Sequence, residues 1–166
     1  ICDDGRTWRR DGLAAGLVIL GGDLLSITVR PDDLEALLRT AALHCGTEGQ
    51  VGIDATLMDP RLFASETDGR WRLDLERADL EFATVRRESR LLPDPEGRTN
   101  TVQMEIRHRA VGADGRHSMI YPDRAPCAIR AWQPDEVRAL AAAAGLRVSR
   151  AGANDRLRWL LRSAHE

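Results

Sequence analysis

Between Leu17 and Leu57 the chain changes its hydrophobic period twice, and no other stretch limits its fold as strongly. Leu17, Val18, Ile19 and Leu20 form a continuous apolar run closed by Gly21 and Gly22, the pattern of a strand buried on both faces. Pro31 suits a first helical position, and Asp32 and Asp33 complement the positive end of a helix dipole. Leu34, Leu37, Leu38, Ala41 and Ala42 then recur at helical spacing until Gly46 supplies a stop. Beyond the turn at Thr47, Glu48 and Gly49, the residues Val51, Ile53, Ala55 and Leu57 alternate with Gln50, Gly52, Asp54 and Thr56, which is strand periodicity. A strand, helix and strand joined in this way make a βαβ unit with parallel strands.

A chain of 166 residues and 18.4 kDa can bury a substantial core around that unit. Its first residue is Ile1 rather than Met, which reads as a piece of a longer polypeptide. The net charge of −2 argues against a general nucleic-acid or membrane surface, because phosphate binding wants a basic excess. All 24 basic residues are arginine; with Ala, Gly, Asp and Leu also abundant, this reads as coding bias rather than a functional cluster. Cys2, Cys45 and Cys127 are odd in number and far apart, giving neither a disulfide framework nor a CxxC pair, so a reducing cytoplasm is the expected compartment. No two histidines have metal-ligand spacing, and no apolar run reaches membrane-spanning length, so neither a metal nor a membrane is expected.

From Arg70 to Trp132 alternation replaces the helical period. Val102, Met104, Ile106, His108 and Ala110 share one face; Gln103, Glu105, Arg107 and Arg109 share the other. Turn residues at Pro93 to Gly97 and at Asp114 and Gly115 separate the runs, predicting an antiparallel meander of three or four strands. His108 and His117 read as histidines packed on sheet faces, His44 as a cation at a helix end, and Trp71 and Trp132 as packing anchors. The α/β character then returns. Pro134, Asp135 and Glu136 open a helix with a buried stripe of Val137, Leu140, Ala141 and Ala144, and Gly145 ends it. Leu146 to Ser149 and the alternating Leu157, Trp159 and Leu161 predict a closing antiparallel hairpin.

That last stretch, WQPDEVRALAAAAGLRVSRAG, resembles the ending of the class I S-adenosylmethionine-dependent methyltransferases. The segment 17–57 is similar to the second half of their parallel sheet, and ICDDGRTW to the acidic end of their third strand. The resemblance implies a Rossmann-like α/β sheet in part: residues 1–69 as the later half of the parallel sheet, 70–132 as an inserted antiparallel lid, and 133–166 as the closing helix and hairpin. It implies S-adenosylmethionine as cofactor and a nitrogen or oxygen of a small-molecule acceptor as the methylated atom. The Asp4 carboxylate would accept from the adenine amino group, the Gly5 amide would donate to the ring, and Arg6 keeps the motif's arginine. Leu20, Gly21 and Gly22 would line the methionine side, and Asp23 would face the substrate as a base for a hydroxyl acceptor. Asp59 and Arg61, past the carboxyl end of the next strand, are candidates for gripping a polar substrate. The insertion resembles that of glycine and sugar-amine N-methyltransferases, which implies a homo-oligomer contact through it. The family's Gly-rich loop and ribose-binding acid are not in the sequence, which places the first βα units upstream of Ile1.

Alternatives stand beside each of these. Asp4 with Gly5 also reads as a solvated turn, Asp23 as a turn residue or helix cap, and Asp59 with Arg61 as a solvated loop. For the whole chain, the competing readings are a catalytically silent binding or dimerisation module with this fold, and a nicotinamide oxidoreductase with the same sheet logic.

Overall fold

The structure, a computed structural model, describes residues 6–8, 12, 14–22, 24–56, 59, 61, 66–80, 83–112, 114–119, 126–152 and 156–164. In chain order the elements are β1 (Leu17–Leu20), α1 (Leu24–Ile27), α2 (Pro31–Cys45), β2 (Gln50–Thr56), β3 (Arg72–Leu80), β4 (Ala83–Pro93), β5 (Thr101–Gly112), β6 (His117–Met119), β7 (Cys127–Arg130), α3 (Pro134–Ala143), β8 (Leu146–Ala151) and β9 (Arg156–Ser163). They fall in two units: Ile1–Met58 with Arg130–Glu166, and Asp59–Ile129.

The first unit is built on a four-stranded sheet in the order β1-β2-β9-β8. β1 and β2 are parallel, from Leu17 opposite Gln50 to Leu20 opposite Ile53, as the βαβ pattern requires. β9 runs antiparallel to both β2 and β8, so the predicted closing hairpin is present, with a bulge between Val148 and Arg150. α2 begins with Pro31, carries Asp32 and Asp33 in its first turn, and ends at Gly46 with φ +62°. A hydrophobic core joins Leu34, Leu38 and Ala41 of α2 to Val51 and Ile53 of β2, Val137 and Ala141 of α3, and Trp159 and Leu161 of β9.

β1 departs from the expected burial on both faces. β1 is buried on one face only: Leu20 is 6% exposed, whereas Leu17 and Ile19 are 50% and 67% exposed. β1 is an edge strand of this sheet, and the core lies on the face that carries Val18 and Leu20. The four-residue α1 is an addition that the periodicity did not predict.

The second unit is an antiparallel meander, β3-β4-β5-β6, with β7 as a fifth strand paired to β5. The β4–β5 ladder is unbroken from Ala83 opposite Gly112 to Pro93 opposite Val102. This register puts Val85, Leu91, Met104, Ile106, His108 and Ala110 on one face, interrupted by Arg87 and Ser89, and Arg86, Glu88, Arg90, Glu105, Arg107 and Arg109 on the other. The predicted two-faced meander is therefore present.

Candidate functional site

In open α/β sheets ligands gather outside the carboxyl ends of the parallel strands. At the end of β1 the buried Leu20 is followed by the partly exposed Gly21 and the exposed Gly22. Gly22 has φ +65° and open space where a Cβ would stand. Only glycine takes that conformation readily, and the backbone there is left bare to an approaching molecule. The Leu24 amide donates to the Gly21 carbonyl at 3.3 Å and closes the loop into α1, whose Leu25 is 1% exposed. Asp23, the proposed base, lies outside the described residues.

Asp4 and Gly5 also lie outside them. The segment that follows is held along α2. Arg6 is exposed and donates to Asp33 at 2.9 Å, while its carbonyl accepts from the Thr40 hydroxyl at 2.8 Å. His44 Nε2 lies 3.2 Å from the Trp8 carbonyl, and the two rings are 4.5 Å apart. His44 stands at the helix end as expected, but it is 4% exposed and packed against Trp8. Thr40 and His44 therefore fasten Arg6 and Trp8 to α2, a role not read from the sequence. The signal was there: both are polar residues on the stripe of Leu37, Ala41 and Cys45, where burial demands a partner.

Asp59 and Arg61 belong to the other unit and are both exposed. The Asp59 carboxylate accepts from the Arg61 amide at 2.8 Å, a local turn that fixes the carboxylate against the backbone.

Two further features bear on chemistry. Cys45 donates its thiol to the Gln50 carbonyl at 2.9 Å, and burial pushes the thiol up from its ordinary value despite a backbone hydrogen bond from Val18. A neutral, enclosed thiol is a poor nucleophile. On the outer face of the sheet, an open groove of about 550 Å³ runs past Leu17, Ile19, Asp54, Arg158 and Leu160. Its lining includes none of the predicted site residues. Among the described residues no cluster of His, Cys, Asp and Glu could hold a metal, and no helix is long and apolar enough to cross a membrane.

The chain superposes on solved structures over nearly all of its length. The fold is that of the class I methyltransferases. An S-adenosylmethionine-dependent methyltransferase from Clostridium acetobutylicum superposes with a TM-score of 0.72 at 12% identity, over 98% of this chain and 63% of that one. The sugar N-methyltransferase KedS8 from a Streptoalloteichus species gives 0.68 at 19% identity, over 98% and 60%. CalS10, an amino pentose methyltransferase from Micromonospora echinaspora whose structure is bound to S-adenosylmethionine, gives 0.68 at 20%, over 97% and 63%. The present chain thus spans about three fifths of the length of these methyltransferases. No protein-family model and no curated protein matches the sequence.

Proposed function

We propose that this chain is the later part of an S-adenosylmethionine-dependent methyltransferase that modifies a nitrogen or oxygen of a small molecule. The observation that carries the reading is the bare glycine loop at the carboxyl end of β1, set in a class I methyltransferase sheet. The open space at Gly22 fits a bulky ligand laid against the backbone. Gly21 and Gly22 would hold the methionine side of the cofactor, and Asp4, Gly5 and Arg6 its adenine. When bound, the cofactor would supply a sulfonium methyl group: an acceptor lone pair forms a bond to the methyl carbon as the carbon–sulfur bond breaks, and the neutral thioether leaves. Such a displacement asks the protein chiefly for alignment and exclusion of water. Asp23 would take the proton when the acceptor is a hydroxyl, and Asp59 and Arg61 would orient a polar acceptor.

The exposed apolar side of β1 supports a larger enzyme. Parallel sheets are normally covered on both faces, and Leu17, Ile19 and the groove beside them are what a sheet presents before further helices lie on it. Calorimetric titration of S-adenosylmethionine and S-adenosylhomocysteine into the full-length protein tests the reading. Micromolar binding is expected, weakened roughly tenfold in Asp4→Ala by loss of a hydrogen bond worth about 1.4 kcal/mol. Absence of binding by the full-length protein would remove the enzyme and leave the silent interaction module.

A further inference from the structure

Trp132 and Arg130 lie far in sequence from the glycine loop, yet both reach the helix that follows it. Trp132 is 6% exposed, and its indole Nε1 donates to two carbonyls of the α1 turn, Leu25 at 2.8 Å and Thr28 at 3.1 Å. Arg130 lays its guanidinium over the Trp132 ring, 4.0 Å from the centroid, and donates to the Val29 carbonyl at 3.3 Å. Its other arm donates to Glu136 at 2.8 Å. Glu136 in turn accepts from the Gln133 amide at 2.9 Å, at the start of α3. A chain of contacts therefore runs from the amino end of α3, through Arg130 and its stack on the Trp132 ring, to both ends of the Leu25–Val29 turn. The Leu24 amide carries it one step further, to the Gly21 carbonyl.

A four-residue helix has too few internal hydrogen bonds to hold its own geometry. α1 keeps its place because Leu25 is sunk in the core and because these outside donors meet its carbonyls. We propose that Trp132, steadied by Arg130, is a positioning residue that presets the Gly21–Gly22 loop for the cofactor; this rests on the methyltransferase reading above. A preset loop loses less conformational freedom on binding, so removing the clamp lowers affinity without removing any group that touches the ligand.

The test compares Trp132→Phe, which keeps a buried aromatic ring but deletes the Nε1 donor together with part of the indole's volume, with Leu146→Ala. The latter empties core volume at the other end of α3 and serves as a control for general destabilisation. Two readouts are taken on the full-length protein. Hydrogen exchange of the Leu25–Val29 amides should quicken about tenfold in Trp132→Phe beyond any change in global stability, and not in Leu146→Ala. The dissociation constant for S-adenosylhomocysteine should rise about tenfold in Trp132→Phe and stay within twofold in Leu146→Ala. Unchanged exchange in Trp132→Phe overturns the clamp. Faster exchange with unchanged affinity overturns its link to the cofactor. Equal loss of affinity in both variants overturns it as well, since general loosening would then suffice. Should the wild-type protein bind no cofactor, the methyltransferase reading fails, and with it the positioning role, while the exchange experiment still decides whether the hydrogen bonds hold the turn.

Discussion

The two units of this protein are held together by different forces. In the first, Leu25, Leu34, Leu38, Val51, Val137 and Leu161 are each no more than 1% exposed, so a shared apolar core does most of the stabilising. In the second, the buried residues among those described are Thr101, Val102 and Ile129, at 6%, 3% and 5% exposed, and Leu73 and Leu75 stand 54% and 49% exposed. Ion pairs cross its strands: Arg86 with Glu76 and Arg90 with Glu105, both at 2.5 Å, and Arg107 with Glu88 at 2.6 Å. The difference teaches where each unit tolerates change. The core unit should respond to lost volume, and the meander to lost charge and altered pH.

Leu161→Ala should show the largest effect. Its side chain is fully buried on β9, between β2 and β8, and cutting it to Ala should cost about 3 kcal/mol, as both transfer energy and a cavity are involved. Leu75→Ala, on a half-exposed residue of the meander, should cost under about 1 kcal/mol. Urea unfolding of the two variants measures both, and similar losses would break the contrast.

This asymmetry also explains what the sequence disclosed. Leu34, Leu37, Leu38 and Ala41 announced a helix because burial of one face is all their spacing encodes, and the alternation from Val102 to Ala110 announced a two-faced strand for the same reason. β1 misled because four consecutive apolar residues do not say which faces have neighbours; Leu17 and Ile19 are exposed in this sheet. α1 was hidden because four residues carry no period. The clamp at Trp132 was equally hidden: an indole's apolar bulk is visible in a sequence, but the carbonyls its N–H will meet, here those of Leu25 and Thr28, depend on the tertiary fold. The glycines after β1, and Asp59 with Arg61, could be singled out as candidates from their place beyond strand ends. What Asp59 bonds to could not.

The intermediate effect belongs to the turn between β4 and β5. Asp94, whose side chain is 2% exposed, accepts from the Arg98 side chain at 2.7 and 3.0 Å and from its amide at 2.8 Å. The Arg98 guanidinium, first of all, holds this carboxyl down at about 2. A folded value below the unfolded one, near 3.9, means that the stabilisation is complete above about pH 4 and is lost as pH falls towards 2. Asp94→Ala should cost roughly 2 kcal/mol at neutral pH, for the charge-assisted hydrogen bonds it removes. The difference between wild type and variant should shrink as acid unfolding is followed from pH 4 to pH 2. A difference that stays constant over that window would show that the ion pair contributes nothing specific.

A smaller effect than that of Asp94→Ala tests the charge argument most directly. Arg107 is 14% exposed, pairs with Glu88, and lies over the Trp71 ring at 3.8 Å, with Arg90 at 4.7 Å from the same ring. Exposed ion pairs rarely contribute more than about 1 kcal/mol, since solvent screens them and long side chains lose freedom. Here the Trp71 face already confines the guanidinium, and Glu88 is 20% exposed with Arg109 Nε also 3.6 Å away. A double-mutant cycle of Arg107→Met and Glu88→Gln should therefore give a coupling near 1 kcal/mol, at the upper end of that range. Raising the ionic strength from about 0.1 M to about 1 M shortens the Debye length from about 10 Å to about 3 Å, so the coupling should fall, while the cost of Leu161→Ala should not. A coupling of zero would mean that the arginine–glutamate ladder is only a solvated face. A coupling that ignores salt would mean that Arg107 acts through its packing on Trp71 and that the meander, too, is held by contact rather than by charge.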